Sequence, residues 1–109
     1  MPENARYIVV FVTAGSSEEA RKIADLLLDR RKAACVNIIP GVQSSYWWKG
    51  KIEASTENLL VIKTRASVLA EVIELVKKVH NYEVPEIIAL PVIGGNRDYL
   101  KWIGAEVRV

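Results

Sequence analysis

The chain is poor in the side chains that most often build metal centres and covalent cross-links. Its 109 residues include one cysteine and one histidine. A single cysteine cannot form an internal disulfide, and there is no Cys-x-x-Cys pair or Cys/His cluster of the kind that holds structural zinc. A metal site in this chain therefore needs carboxylates, water or a neighbouring subunit.

A strong charge imbalance and long apolar runs are also absent. The net charge is +2 and neither half is polybasic, so no nucleic-acid partner is expected. The longest apolar runs, such as residues 8–12, are too short to cross a bilayer, and no membrane partner is expected. Residues 1–6 lack the pattern of a signal peptide, which favours a cytoplasmic location.

The signatures of common enzyme and RNA-binding classes are missing as well. The chain contains neither GxGxxG nor GxxxxGK[ST], and no G-x-S-x-G accompanies the lone His80. The predicted central strand over residues 58–64 has no aromatic residue, which excludes the usual RNA-recognition signature. No catalytic constellation is found, and we expect no enzyme activity.

What is present is the pattern of one mixed α+β domain. Hydrophobic residues make up 50% of the chain, which is enough for one core at this length. Buried-strand and amphipathic-helix patterns alternate in the order β-α-β, β-α-β and a final helix. This order predicts an α+β, ferredoxin-like split βαβ sandwich, βαββαβ plus a C-terminal helix, over residues 1–109.

Local signals set the expected boundaries. Ser16 and Glu19 match a capping box before a helix over residues 17–31, and Ser67 is expected to cap a second helix that His80 closes. Pro40-Gly41 predicts a bulge within the second strand. Further strands are expected over residues 7–13 and 86–93.

A long hairpin is the first functional clue. Its two strands, residues 34–48 with the Pro40-Gly41 bulge and residues 51–64, flank a Lys49-Gly50 turn, and both are longer than so small a domain covers by itself. Tyr46-Trp47-Trp48 lie near its tip, where at least one aromatic ring is exposed in a monomer. This pattern favours self-association, with a ligand-stacking platform as the alternative.

Cys35 and His80 have two interpretations each. Cys35 is either a small buried apolar residue or a thiolate ligand for copper or zinc. His80 either bonds to the end of its own helix or ligates a metal together with nearby carboxylates such as Glu83.

Taken together, these residues resemble the CutA divalent-cation tolerance family. The matching segments follow one another through almost the whole chain: Ala33-Ala34-Cys35-Val36-Asn37, Ile39-Pro40-Gly41, Ser44-x-Tyr46-x-Trp48-x-Gly50-Lys51-Ile52, Glu57, Lys63-Thr64, His80-x-Tyr82-Glu83-x-Pro85-Glu86-Ile87, Pro91-Val92 and Tyr99-Leu100-x-Trp102-Ile103.

The resemblance implies a compact homotrimer in which the long hairpin strands pair across subunits. It also implies a role in tolerance to copper or other divalent cations, in which His80 is the one ligand position of the family that this chain keeps. Glu83 and Cys35 are the other candidate metal ligands. Metal binding is expected to be weak, because Val12 and Val79 stand where some members carry a cysteine and a second histidine.

Two other functions remain open at this point. Such trimers are similar to the PII signalling proteins, which suggests a sensor that binds a small anionic ligand in a cleft between subunits. Its contacts would come from five residues: Tyr46, Trp48, Lys63, Tyr82 and Glu83. In the third interpretation, the trimer is a scaffold whose aromatic residues serve assembly only.

Overall fold

A computed structural model describes residues 5–109; the residues before them, on which part of the expectation about targeting rests, lie outside the described range. The described chain forms four strands and three helices, with a 3-10 turn at Ala66–Val68 before the second helix. The elements are β1 (Tyr7–Ala14), α1 (Ser17–Asp29), β2 (Cys35–Trp48), β3 (Lys51–Arg65), α2 (Leu69–Val79), β4 (Ile87–Pro91) and α3 (Arg97–Glu106).

The strands form one antiparallel sheet in the order β2-β3-β1-β4. This order is that of the ferredoxin-like split βαβ arrangement, so the predicted fold class is confirmed. β1 lies inside the sheet, between β3 and β4. Its Val and Ile residues suit this position because β-branched side chains pack well on a pleated surface.

One face of the sheet carries the core. Ile8, Val10 and Val12 alternate along β1 and are fully buried, as the period of two in a strand requires. Helices α1 and α2 contribute apolar stripes to the same cluster, including Ile23 and Val72. The opposite face holds the intervening side chains, of which Val9 and Phe11 are only half-buried.

The hairpin extends beyond the four-stranded sheet. Pairing of β1 with β3 ends at Ala14 and Asn58, whereas β2 and β3 continue to pair with each other from Val42–Glu57 to Trp48–Lys51. We call this two-stranded ribbon, residues 42–57, the arm. The predicted bulge is confirmed by a register shift between Ile39 and Val42.

The turn at the tip of the arm has positive φ at both central residues, 52° at Lys49 and 79° at Gly50. A two-residue turn of this kind matches the twist of the flanking strands, which is why glycine suits the second position. The arm therefore closes without distorting the pairing of Trp48 with Lys51.

Two predicted details are wrong. Ser67 does not cap α2: it lies inside the 3-10 turn, and the N-cap residue Val68 makes no side-chain bond. The chain instead passes from β3 through that turn, where the Ala66 N–H donates to the Arg6 carbonyl at 2.8 Å. Helix α1 ends at Asp29 rather than Arg31, whose φ of 59° is left-handed and cannot continue a helix.

Candidate functional site

A group of buried polar side chains lies where three parts of the fold meet. The end of β1, the start of α1 and the segment that follows α2, residues 80–86, approach one another beside β3. We call the last of these the 80–86 segment. It has no regular structure of its own, so its position depends on side-chain contacts with the neighbouring elements.

The carboxylate of Glu19 joins two of these parts. Its side chain is nearly fully buried, and its oxygens accept hydrogen bonds from the backbone N–H groups of Gly15 at 3.1 Å and Asn81 at 2.6 Å. Ser16 caps α1 as predicted, by accepting from the Glu19 N–H at 3.1 Å. In a complete capping box, the Glu19 carboxylate would accept from the N–H of Ser16. Here it accepts from the N–H of Gly15, one residue earlier, and from that of Asn81 in the 80–86 segment.

His80 is the most completely enclosed of the predicted site residues. Its side chain has no exposed surface. Nε2 lies 2.6 Å from the carbonyl oxygen of Thr13 on β1, and Nδ1 lies 3.0 Å from the backbone nitrogen of Tyr82. The ring thus bonds to β1 and to its own segment, rather than to the last carbonyls of α2.

Tyr82 connects the segment to the base of the arm. Its phenol donates to Oε2 of Glu57 at 2.7 Å, and Glu57 is nearly fully buried. Burial, together with the bond to the Glu57 carboxylate, raises the pKa of Tyr82 above its ordinary range. The approach is close: a Cβ at position 15 would lie 3.0 Å from the phenol oxygen, so a larger residue there would have to displace the phenol by a few tenths of an ångström.

Glu86 ends the segment with a second perturbed group. Burial of part of its surface, and to a lesser degree the charge of Glu57, raise the pKa of Glu86 above its ordinary value. The negative charge of Glu57 therefore acts on Glu86 from the base of the arm.

The predicted site residues lie in three places in the protomer, of which the first two adjoin, since Tyr46 on the arm contributes to the raised pKa of Tyr82. His80, Glu83 and Tyr82 lie together in the 80–86 segment, where Glu83 is exposed. Tyr46 and Trp48 lie on the arm, where the Tyr46 hydroxyl is 3.4 Å from that of Ser55.

Cys35 and Lys63 form the third place, directly opposite each other on β2 and β3. Lys63 donates to the side-chain oxygen of Asn37, which is 3.8 Å from the Cys35 sulfur. Lys63 is in register with Val9 of β1, which lies four residues before Thr13. At the rise of an extended strand, these four residues span about 13 Å. One protomer therefore does not bring Cys35 to His80.

Glu19 and Glu57 were not identified from the sequence as members of this site. Glu19 was interpreted only as a capping residue, and Glu57 precedes an apolar run without any local sign of burial. A buried carboxylate needs hydrogen-bond donors, and here the donors come from residues 62 and 25 positions away in the chain.

The arrangement does not fit a metal ion at His80, because both ring nitrogens already have protein partners. Within residues 5–109, no group of three or more His, Cys, Asp or Glu side chains lies close enough to hold a cation. None of the helices in that same range has the length and apolar character needed to span a membrane.

Comparison with known proteins agrees with this fold. A model of the family described as CutA1 divalent ion tolerance protein matches residues 8–106. The chain is 48% identical over 101 residues to "Protein CutA 1, chloroplastic" of Oryza sativa, covering 93% of this chain but only 57% of the rice protein. It is 47% identical over 98 residues to the divalent-cation tolerance protein CutA of Archaeoglobus fulgidus, covering 90% of this chain and 95% of that one.

A solved structure extends the comparison to three dimensions. The crystal structure of CutA1 from Oryza sativa superposes with a TM-score of 0.92 at 47% identity, covering 95% of each chain. A family model that spans nearly the whole chain, together with relatives at this identity, agrees with the segments quoted from the sequence. The chain belongs to the CutA1 divalent ion tolerance protein family.

Proposed function

We propose that this chain acts in divalent-cation tolerance as a homotrimer, and that it interacts only weakly with copper or another divalent cation. The name of the Archaeoglobus fulgidus relative supports the general role. The observation that carries the proposed assembly is the apolar face of the sheet that α1 and α2 leave uncovered.

That face has apolar members on all four strands, with the polar side chains of Asn37 and Lys63 among them. Its central members are half-buried, and its outer members are exposed: Ile39 by 46%, Ile88 by 53% and Leu90 by 42%. They share one side of the sheet because their register rows contain Thr13, Phe11 and Val9, the residues of β1 that alternate with its core residues: Ile39 lies in the row of Thr13, Ile88 in that of Phe11 and Leu90 in that of Val9. An apolar surface of this kind on an isolated chain is typical of a contact between subunits.

The arm supports the same assembly. Trp47 is 72% exposed and Ile52 is 67% exposed, and the two residues are register partners on one face of the arm. The outer edge of β2 has no strand partner within the described chain. Pairing this edge with another copy would cover both the Trp47 indole and the unpaired backbone groups. That the assembly closes with three copies follows from the family resemblance.

The proposed cation interaction is weak because the predicted ligands are not assembled in one protomer. Glu83 is exposed and Cys35 half-buried, whereas His80 is enclosed. A carboxylate that acts without a preformed set of partners holds a divalent cation poorly. Native mass spectrometry with and without equimolar copper and zinc tests this: we expect partial uptake that mild desalting removes, and tightly retained stoichiometric metal would contradict it.

The assembly is tested by placing a charge on the uncovered face. Val61→Asp puts a carboxylate between Phe11 and Asn37, where a neighbouring chain would bury it, so we expect the mass of three 12.2 kDa chains to fall to one. Light scattering during size-exclusion chromatography measures this change.

Leu28→Asp is the matched control, because Leu28 is an exposed apolar residue on α1, away from the uncovered face. It should leave the mass at three chains. Ile88→Asp provides a second test on β4 in case Val61→Asp does not fold. A folded variant of either face position that keeps the mass of three chains would contradict the proposed interface.

The cytoplasmic location remains part of the proposal. The name of the rice relative places that protein in the chloroplast, so location varies with the protein that carries this domain. Fractionation of cells that express the full chain, followed by immunoblotting, would test it.

A further inference from the structure

We infer that His80 is a structural residue that holds the 80–86 segment against β1, and that no nitrogen of its ring ligates a divalent cation in this protein. The inference concerns the same segment as the proposed cation interaction. It stands on the hydrogen bonds and the burial of one side chain.

The two hydrogen bonds fix the tautomer of the ring. The Thr13 carbonyl oxygen can only accept, so Nε2 carries the proton and donates across 2.6 Å. The Tyr82 N–H can only donate, so Nδ1 contributes its lone pair across 3.0 Å. A neutral imidazole has one proton and one free lone pair, and both are used.

A cation would have to take that lone pair. The side chain has no exposed surface, and Oε2 of Glu19 lies 3.7 Å from Nδ1 while it accepts from the Asn81 N–H. Freeing Nδ1 would leave the Tyr82 N–H without its acceptor, and turning the ring would break the bond to Thr13 as well. The His80 ring and Thr13 are both buried, and buried polar groups that lose their partners are costly, so the bonded arrangement is strongly preferred.

The same contacts, with those of the next two residues, explain how the 80–86 segment is held in place although it forms no helix or strand. His80 bonds to β1, Glu19 bonds to the next residue, Asn81, and Tyr82 bonds to Glu57 on β3. The rings of His80 and Tyr82 also pack together, with centroids 4.8 Å apart. Three successive residues thus fasten the segment to three elements.

Nitrogen NMR tests the inference directly, because the chain has a single histidine and its ring signals need no assignment. In long-range 1H–15N spectra of the metal-free protein, we expect the pattern of one neutral tautomer protonated at Nε2. Equimolar zinc, which is diamagnetic, should leave these signals in place. A ring protonated at Nδ1, an imidazolium at neutral pH, or ring signals that move with zinc would overturn the inference.

A variant separates holding from ligation. His80→Ala should speed hydrogen exchange of the Tyr82 amide by about tenfold or more, while the zinc affinity changes less than about twofold. The opposite result, a zinc affinity about tenfold weaker with unchanged amide exchange, would contradict the inference. Glu83→Gln is the matched control, since it removes an exposed carboxylate from the same segment and should leave Tyr82 exchange unaltered.

The inference and the proposed function fail in different ways. A wild-type protein that takes up no zinc or copper would refute the proposed cation interaction, and the tautomer in the metal-free spectrum would still decide the role of His80. The wild-type spectra also decide it if His80→Ala does not fold.

Discussion

At the scale of the residue, the polar groups around the 80–86 segment occur in bonded pairs. Tyr82 with Glu57, and His80 with the Thr13 carbonyl, place donors and acceptors where water is partly excluded. In such surroundings each bond contributes about 1 kcal/mol, whereas the loss of one partner costs more, because the other is left buried and unsatisfied. The cost of leaving one partner unsatisfied therefore keeps the 80–86 segment in place.

Glu86 provides a prediction for pH dependence. Its pKa is raised in the folded protein, so the folded state binds this proton more tightly than the unfolded state does. The resulting stabilisation is present in acid and is lost as the pH rises through the raised folded pKa. At neutral pH, the charged carboxylate therefore lowers the free energy of unfolding.

We expect Glu86→Gln to remove this effect. The difference in unfolding free energy between the variant and the parent should be close to zero near pH 4, about the ordinary pKa of a glutamate, and should grow in favour of the variant as the pH rises. Urea denaturation at several pH values measures it. Glu74→Gln, on the exposed surface of α2, is the control; an equal trend in both variants would contradict the assignment.

What the sequence predicts at this scale depends on how far away the partner lies. The bond from Ser16 to the Glu19 N–H is local, and the spacing of the two residues predicts it. The partners of Glu57 and His80 are distant in the chain, and only the folded sheet brings them together. The sequence correctly predicts His80 at the end of α2. It does not identify the Thr13 carbonyl as the partner of the ring, because Thr13 is 67 positions away in the chain.

At the scale of the element, the two long helices begin differently. The Ser16 hydroxyl caps the start of α1, whereas the N-cap residue of α2, Val68, is fully buried and makes no capping bond. The first turn of α2 relies on packing against the core and on the preceding 3-10 turn. The sequence alone could not separate these cases, because both helices follow a serine.

This difference predicts unequal effects for one substitution at two positions. Ser16→Ala should lower the free energy of unfolding by about 1 kcal/mol, since a backbone N–H loses its acceptor. Ser67→Ala should change it by less than about 0.5 kcal/mol, as is usual for an exposed position without such a bond. Thermal or urea denaturation of the two variants side by side measures both, and equal losses would show that Ser67 does act as a cap.

The strands were predicted more closely than the helix ends. Runs of Val and Ile, the Pro40-Gly41 bulge and the Lys49-Gly50 turn all leave local marks in the sequence, and the hairpin follows from them. β4 is shorter than expected, Ile87–Pro91, because it pairs only with the part of β1 from Ile8 to Val12. The length of a strand depends on how many residues of the neighbouring strand it pairs with, and the local sequence of β4 does not indicate this.

At the scale of the whole molecule, the arm makes the chain elongated, with a longest dimension of 43 Å against 27 and 23 Å. Among residues 5–109, apolar side chains on the arm and on the uncovered face are only partly covered by their neighbours. The proposed trimer would bury both surfaces. The excess length of the hairpin was predictable from the sequence, whereas the number of subunits comes from the family resemblance and remains a prediction.

Such an assembly should make the stability depend on concentration. If folding and association are linked, a hundredfold dilution lowers the temperature of unfolding, because fewer chains are driven into the complex. Differential scanning fluorimetry over that range, with the mass measured at each concentration, tests the linkage. A midpoint that stays constant while the mass remains that of one chain would refute it.

The arm also has a consequence for the newly synthesised chain. Until it meets other copies, a freshly folded protomer carries a long ribbon with an unpaired outer edge and an exposed indole, and such edges join indiscriminately to other strands. Productive assembly and aggregation then compete for the same surface, and both accelerate as chains accumulate. The rate of synthesis in a cell or an expression host therefore becomes a determinant of yield, independent of how stable the finished protein is.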